Sequence, residues 1–394
     1  MFIIKKKKGR EKTKKTIPKG ILLLCTLFLG CLIILGAFLY LSGSSSRNFF
    51  PVYEEIYSVS SDLNNKIGQV DYTIYDSLFQ WGVDEKDIFF PAVKPCHEKG
   101  YEWDFTELVI KLSNKNSAVQ LKKIINNGLS KIKPSVSINS VKSGGEVVCQ
   151  IFTLGLYTHK IRLVHEGYGD KKHKRLPKIA IVIDDMGYDR NLANSFIQMD
   201  LPLTLSVLPF APFTEYVASE ANKRGIELLL HMPMEPKGYP RLNPGPGALL
   251  TDMNEAEIRE VITALLGQVP NLRGVNHHMG SYFTERSDKM TSVLKELKEH
   301  NLFYVDSRTT VHTVAYKVAK KLGVPVTKKS VFLDHYLSQK AIKIQMERLL
   351  GMARYSGTAV GIGHPHKQTL KVLHEYLHRL KTDFKVVPVS ELVG

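Results

Sequence analysis

From residue 178 to the end of the chain, short apolar runs alternate with stretches of helical spacing. The apolar runs are Ile179–Ile183, Leu203–Leu208, Ile226–Leu230, Val275 with its neighbours, Leu302–Val305, Val324–Val326, Thr358–Ile362 and Phe384–Val389. Between them, Ile258–Leu265 and Met290–Leu297 carry the apolar stripe of an amphipathic helix. Parallel strands are usually connected by helices, so this alternation predicts a parallel sheet, either a barrel or a doubly wound fold. In both folds the active site lies at the carboxyl ends of the strands.

Most of these apolar runs are followed directly by an acidic residue or a histidine. The polar residues at the strand ends are Asp184, Asp185, His231, Asn276, His277, His278, Asp306, Ser307, Arg308, Asp334 and His364. Each has an ordinary explanation on its own, because a strand-end Asp often caps a helix and a lone His is often structural. Five strand ends that offer such groups together favour one shared site. Carboxylate and imidazole suit Zn²⁺ or a similar divalent ion.

Five motifs at these positions together resemble the divergent polysaccharide deacetylases. They are Ile183-Asp184-Asp185-Met186-Gly187, His231-Met232-Pro233-Met234-Glu235-Pro236, Gly274-Val275-Asn276-His277-His278-Met279-Gly280-Ser281, Asp306-Ser307-Arg308-Thr309 and Gly361-Ile362-Gly363-His364-Pro365-His366. The resemblance covers Pro177–Gly394. It implies an α/β fold, the irregular (β/α) barrel of the polysaccharide deacetylases. It also implies a metal-dependent hydrolase that removes acetyl groups from an N-acetylated polysaccharide or peptidoglycan-type substrate.

The resemblance also implies roles for individual residues. By similarity to the ordinary deacetylases, Asp184 is the catalytic base and Asp185 a metal ligand. Their His-x-x-x-His-Pro ligand stretch is missing here, so we expect His231 and His278 to complete the metal site, with zinc as the metal. His364 takes the place of the histidine that is the general acid in the ordinary enzymes.

Other polar residues at the strand ends are expected to support this chemistry. Asp306 and Arg308 are grouped with the catalytic residues as side chains that orient the reacting groups. Those expected to bind substrate or to hold the catalytic groups are Asn276, His277, Ser281, Asp334 and His366. Asn276, Ser281 or a backbone N–H is also a candidate donor to the oxyanion. His277 is the weaker candidate ligand, because the family is expected to carry Asn more often at its position.

Amide hydrolysis needs three kinds of help, and this set of residues offers all three. A divalent cation lowers the pKa of water from 15.7 to roughly 7 and polarises the carbonyl. Asp184 can take the proton of that water, and a histidine with a reference pKa of about 6.5 can protonate the departing amine. The residues therefore fit the reaction that the resemblance implies, which is hydrolysis of an amide C–N bond.

Other functions fit parts of the sequence. A glycosidase would use two carboxylates, such as Asp184 with Asp334 or Glu235, and would leave the histidines without a purpose. A serine hydrolase would need a Gly-x-Ser-x-Gly elbow, which Gly280-Ser281 lacks. The missing His-x-x-x-His pair leaves open a barrel that binds a glycan or a protein in the cell envelope without turnover.

The start of the chain predicts a membrane anchor. Residues 1–20 hold nine Lys or Arg and one Glu. Their net charge of +8 is half of the net charge of +16 of the whole chain. Residues 21–41 carry no charge and are long enough to cross a bilayer as a helix. The basic tail then lies in the cytoplasm, and the catalytic domain of this single-pass inner-membrane protein lies in the periplasm or outside the cell. A cleaved signal peptide is the alternative, and it too implies export.

Between the anchor and the barrel, residues 51–165 predict a small α+β domain whose role the sequence does not reveal. Its predicted elements are a helix around Val52–Phe79, strands in Phe105–Leu112, Val136–Ile138 and Val147–Val164, and a helix in Ala118–Ile132. A basic linker, residues 166–177, joins it to the barrel domain, residues 178–394.

Because the positive charge lies mainly in a tail and a linker, a nucleic-acid partner is not expected. Cys96 and Cys149 form either a disulfide or two buried thiols.

Overall fold

The computed structural model describes residues 61–112, 115–143, 146–165 and 175–394. Among these residues, no helix has the length and apolar character needed to cross a membrane. The predicted tail 1–20 and span 21–41, together with residues 166–174 of the predicted linker, lie outside the described residues. These three expectations therefore stay predictions.

The first part of the described chain is a five-stranded sheet with two helices on one face. Its elements are α1 Ser61–Trp81, β1 Ile88–Glu98, β2 Tyr101–Leu112, α2 Lys115–Ser130, β3 Val136–Ser143, β4 Glu146–Thr153 and β5 Leu156–His165. The strand order is β1-β2-β5-β4-β3, in which β2 and β5 are parallel and the other neighbours antiparallel. Buried and half-buried positions alternate along β4, as they do when one face of a strand covers a core. Ile74 of α1, Ile125 of α2 and Ile161 of β5 belong to that core.

Strand β1 is absent from the sequence expectation, and its prolines explain why. Pro91 and Pro95 cannot donate to a strand ladder, so the segment does not have a strand-like composition. β1 forms the edge of the sheet, and its register slips between Phe89 and Ala92, which leaves Pro91 in the irregular stretch. Prolines are tolerated at an edge and at a bulge.

The two cysteines outside the predicted membrane span are free thiols. Cys96 lies on β1, whereas the buried Cys149 lies on β4. Two strands, β2 and β5, separate them in the sheet. The alternative of a disulfide is thus excluded in this structure.

The second part of the described chain is a parallel sheet of nine strands with helical crossovers. Its elements are β6 Lys178–Met186, α3 Arg190–Ile197, β7 Thr204–Val207, α4 Thr214–Lys223, β8 Glu227–Met234, α5 Glu255–Leu266, β9 Gly274–Met279, α6 Ser287–Glu299, β10 Phe303–Asp306, α7 Ala315–Leu322, β11 Val326–Lys328, β12 Val331–Phe332, α8 Gln339–Ser356, β13 Thr358–Gly363, α9 Lys367–Thr382 and β14 Lys385–Val386. The order is β11-β10-β9-β8-β7-β6-β13-β12, and β14 also pairs with β6. Each apolar run of the sequence overlaps one of these strands.

The parallel sheet curls until side chains from distant strands meet inside it. Val182 of β6, Val305 of β10 and Val360 of β13 pack in one buried cluster. Alternate residues on the outer face, such as Ile181, pack in the larger core that includes the helices. β11 and β12 are the two edges of the sheet. The predicted irregular barrel is therefore a curled sheet that stays open between β11 and β12.

The C-terminal residues cover the amino-terminal end of this sheet. Val389 belongs to the inner cluster, and its N–H donates to Oγ1 of Thr204, the first residue of β7, over 3.0 Å. The N–H of Ser390 donates to Oε1 of Glu227, the first residue of β8, over 3.2 Å. The carboxyl ends of the strands, at the opposite side, remain for the functional site.

Helix α8 joins the parallel sheet to the five-stranded sheet. Gly351 of α8 packs so closely against β1 that an added Cβ would lie 2.5 Å from Cδ2 of Phe90. One turn earlier, Arg348 forms a buried ion pair of 2.8 Å with Asp71 of α1. Burial alone would raise the pKa of Asp71, but Arg348 and the nearby His159 hold that pKa below its usual value. The pair therefore remains charged at neutral pH.

Candidate active site

An irregularity at the end of β6 lets Asp184 and Asp185 face the same site. Successive side chains of a regular strand point to opposite faces. Here the register with β7 slips between Ile183 and Met186, and Asp185 adopts a positive φ of 53°. Such a backbone is uncommon for a residue other than glycine and is often found at functional sites. Both carboxylates are buried as a result.

Asp185, His231 and His278 bring three buried ligand atoms together. Oδ1 of Asp185 lies 3.1 Å from Nε2 of His231 and 3.0 Å from Nδ1 of His278. The three ligand atoms all lie within 4.8 Å of one another. Neither carboxylate oxygen of Asp185 nor Nδ1 of His278 has a hydrogen-bond partner among the described residues.

These three residues fit a divalent cation. Buried polar atoms without partners are costly, and an ion between the ligand atoms would satisfy them. One oxygen and two imidazole nitrogens form the three-ligand set of many catalytic zinc sites, in which a fourth position stays open. Burial alone would raise the pKa of Asp185, but His278 and His231 hold it well below its usual value. Asp185 is therefore ionised, as a metal ligand must be.

Asn276 connects His231 to Asp184. Its Nδ2 donates to both carboxylate oxygens of Asp184, over 2.8 and 2.9 Å. Its Oδ1 accepts from Oγ of Ser206 over 2.5 Å and from Nδ1 of His231 over 2.8 Å. An amide oxygen can only accept, so Nδ1 of His231 carries a proton, and Nε2 is the ring nitrogen that faces Asp185. Both polar atoms of the Asn276 side chain are thus engaged within the site, and its role as an oxyanion donor stays a prediction.

Asp184 itself is fully buried at the centre of this arrangement. Burial raises its pKa above the usual value, while His231, His364 and the bond from Asn276 limit the rise. A raised pKa makes a carboxylate a better proton acceptor near neutral pH.

His364 follows β13 and is held by Asp334, which follows β12. Nδ1 of His364 donates to Oδ1 of Asp334 over 2.8 Å, and the backbone N–H of His364 donates to Oδ2 over 2.6 Å. Thr369, which the sequence did not single out, donates to the same Oδ2 over 2.6 Å. Burial alone would lower the pKa of His364, but Asp334 raises it to about 10, with help from Asp185 and Asp184. His364 is therefore protonated at neutral pH, and Asp334 fixes its ring.

The structure places His277 and Asp306 away from these groups. His277 points to the opposite face of β9, where its Nδ1 lies 2.6 Å from Oη of Tyr304 and burial holds its pKa well below the usual value. Asp306 accepts hydrogen bonds from the N–H groups of Arg308 and Tyr316, over 2.9 and 3.2 Å. The contacts of Asp306 make it an anchor of the loop before α7, in contrast to its expected catalytic role. The burial of His277 and its contact with Tyr304 make it a neutral structural histidine and not a ligand.

Three other expected residues lie around the site without joining the ligand atoms. Oγ of Ser281 accepts from the N–H of Lys237 over 3.0 Å and so fixes the loop after β8. The half-buried ring of His366 lies 6.2 Å from that of His364. The carbonyl of the half-buried Arg308 accepts from Nζ of Lys329 over 3.1 Å. Lys329 is a buried lysine that no motif of the sequence had indicated.

The part of the chain that contains this site is similar to known proteins. The family model described as divergent polysaccharide deacetylase matches residues 181–393. The chain is 36% identical over 217 residues to the uncharacterized protein YibQ of Escherichia coli K12, a match that covers 55% of this chain and 67% of that relative. It is 33% identical over 215 residues to an uncharacterized protein of Haemophilus influenzae, across 55% of this chain and 76% of the relative.

A solved structure shows the same fold. An uncharacterized protein of Agrobacterium tumefaciens C58 has 24% identity to this chain and a TM-score of 0.54, over 56% of this chain and 91% of its own. The matched region contains every strand end that contributes to the site. On the family match and the identity to these relatives, the chain belongs to the divergent polysaccharide deacetylase family.

Proposed function

We propose that this protein is a metal-dependent hydrolase that removes N-acetyl groups from an amino-sugar polymer of the cell envelope. The observation that carries the proposal is the buried group of Asp185, His231 and His278, whose ligand atoms point together beside Asp184. A binding protein has no need of such a group next to a buried base and a protonated histidine.

In the proposed reaction, Asp185, His231 and His278 would hold the metal. The bound ion supplies Lewis-acid chemistry, because it polarises the amide carbonyl and makes water a competent nucleophile near neutral pH. Asp184 accepts the proton of the attacking water, and Asn276 keeps its carboxylate in place.

His364 acts on the other side of the scissile bond. An amine leaves only when its nitrogen is protonated, and His364 is protonated at neutral pH because Asp334 stabilises its charge. The bond from Nδ1 to Asp334 leaves Nε2 on the far side of the ring, away from Asp334.

Acetate release tests this proposal. The full chain, loaded with zinc, is assayed on N-acetylglucosamine oligomers and peptidoglycan fragments, beside Asp184→Asn and His364→Gln. Removal of a general base or acid lowers the rate by about 10²- to 10⁴-fold, whereas the exposed His374→Ala should act like the parent. A metal-loaded parent that binds these glycans but releases no acetate would refute hydrolysis and favour the binding barrel.

We also propose that the protein is anchored in the inner membrane by residues 21–41, with the barrel outside the cytoplasm. The uncharged apolar stretch and the basic residues before it support this orientation. A reporter that folds only outside the cytoplasm, fused after Gly394, should be active. An inactive reporter, with an active cytoplasmic one in the same place, would contradict the orientation.

A further inference from the structure

The hairpin of β1 and β2 reaches across the carboxyl end of the parallel sheet. Near its turn, Oε1 of Glu102 lies 3.4 Å from Nζ of Lys237 and 3.8 Å from Nε2 of His312. The ring centroids of His97 and His312 are 5.1 Å apart. Lys237 follows β8 and His312 follows β10, so the hairpin touches loops at the rim that carries the metal ligands. The five-stranded sheet therefore contributes directly to the surroundings of the candidate active site.

Further along the same hairpin, a cavity of about 110 Å³ separates it from the end of β12. Val93 and Asp104 of the hairpin line the cavity on one side, and Phe332 and His335 line it on the other. The ring of Phe332 also stacks on that of His364, with 6.1 Å between the centroids. The cavity and the candidate general acid thus share one aromatic wall.

The floor of the cavity carries a buried guanidinium. Arg348 is only 6% exposed, and it lines the cavity together with Asp71, its ion-pair partner. Its Nε has no hydrogen-bond partner among the described residues, although its terminal nitrogens bond to Asp71 and Gln345. A buried donor of this kind favours a ligand that can accept a hydrogen bond.

The charges around the cavity indicate what kind of ligand fits. Arg348 is paired with Asp71, and Asp104 adds a second carboxylate, so the lining has no excess positive charge that would favour an anionic ligand. Carboxylates that accept, a guanidinium that donates and an aromatic wall suit the hydroxyl groups and the apolar face of a neutral sugar. The volume is that of about four water molecules, enough for the hydroxyl-bearing edge of one sugar unit.

We propose that this cavity is a subsite for a neighbouring sugar unit of the polymer, with Asp104, His335 and Arg348 as its polar contacts. This inference rests on the proposed deacetylase function and extends it, because it gives the five-stranded sheet a role in selecting long substrates. The unit whose acetamide reacts lies at Asp185, and the next unit lies beyond His364, against Phe332.

Chain-length dependence tests the subsite. The test variants are Asp104→Ala, at a half-buried side chain, and His335→Ala, at an exposed one, so neither leaves a cavity in the core. Glu98→Gln is the control, because Glu98 is exposed at the turn of the same hairpin. The full chain is assayed on N-acetylglucosamine and its tetramer. Loss of a hydrogen bond to a charged group should raise the KM for the tetramer by roughly tenfold, with kcat and the values for the monomer near those of the parent.

The outcomes separate this subsite from the proposed function. If the parent releases acetate and both variants keep its KM for the tetramer within about twofold, the subsite is refuted and the deacetylase stands. If the parent releases no acetate, the deacetylase function is refuted. The affinity of the parent and the variants for the tetramer, measured by NMR, then tests whether the cavity binds sugar. Weaker binding in both variants than in Glu98→Gln then supports the subsite, and equal binding overturns it.

Discussion

At the scale of single residues, Asn276 holds Asp184 and His231 in one hydrogen-bond network. Asn276→Leu keeps the volume but removes the donor to Asp184 and the acceptor for Nδ1 of His231. Loss of a partner that orients a ligand histidine typically weakens metal binding by about 10- to 100-fold. Competition with a chelator should show this loss, whereas the exposed Asn191→Ala should leave the affinity unchanged. Equal affinity in Asn276→Leu would mean that the network does not orient His231.

The charge on His364 should depend on Asp334. The folded protein raises the pKa of His364 to about 10, so the stabilisation from this pair is complete below about pH 6.5 and is lost as the pH rises toward 10. In the metal-free protein, NMR should find the His364 ring protonated at pH 8. Asp334→Asn should let it titrate at least one pH unit lower, because the negative charge is gone.

Thr369→Val is the matched control for this titration, since it removes one hydrogen bond to Asp334 but leaves the charge. Its effect on the pKa of His364 should be much smaller. An Asp334→Asn variant whose His364 titrates as in the parent would contradict the assigned role of Asp334.

The grouping of Asp185, His231 and His278 could be predicted from their places at strand ends together with the resemblance, because the carboxyl ends of parallel strands meet at one edge of the sheet. It was harder to predict to which face of its strand each side chain points. Strand alternation already separates His277 from Asn276 and His278, and it could have excluded His277. Alternation also predicts opposite faces for Asp184 and Asp185, and only the bulge in β6 brings them together. The resemblance, which puts both residues in one site, agrees with this geometry, whereas the strand rule alone does not.

At the scale of the elements, the contact between α8 and β1 should tolerate no side chain at Gly351. An alanine Cβ there would lie 2.5 Å from Cδ2 of the buried Phe90 and 3.1 Å from the carbonyl oxygen of Ile88. Alanine favours a helix by about 1 kcal/mol over glycine, and overpacking costs about 1–3 kcal/mol. We expect the clash to outweigh the gain, so Gly351→Ala should lower the free energy of unfolding by about 1 kcal/mol in urea titrations.

Gly267→Ala is the control for this substitution. Its added Cβ would meet its nearest neighbours at 3.5 and 3.8 Å, which is ordinary contact, so its stability should be unchanged or higher. If Gly351→Ala is as stable as Gly267→Ala, then β1 and α8 are not closely packed.

The longer elements followed from the sequence because their periodicity is strong. The parallel strands β6, β8 and β13 are continuous apolar runs, as expected for strands that are covered on both faces. The two-residue strand β12 is too short to show any pattern, and the prolines of β1 hide its pairing. The predicted strand Val147–Val164 is the hairpin of β4 and β5, which turns at Leu154 and Gly155 with positive φ at both residues. The apolar pattern continues across that turn and so did not reveal it.

At the scale of the whole molecule, the sequence predicted a barrel and a separate small domain of unknown role. The structure instead joins the two sheets through α8 and the β1–β2 hairpin, with the ion pair of Asp71 and Arg348 at the junction. Residues 277 positions apart in the chain form that pair, and no local pattern predicts such a contact. The surroundings of the candidate active site therefore depend on a part of the chain that lies outside the region matched by the family model.

The central claim is that Asp185, His231 and His278 hold one catalytic divalent ion. The most direct measurement is the metal content of the purified full chain by mass spectrometry, after incubation with zinc and removal of excess. The parent and the exposed control His374→Ala should each retain about one ion per chain, whereas Asp185→Ala and His278→Ala should retain far less. A folded parent that retains no ion, or variants that retain as much as the parent, would contradict the claim.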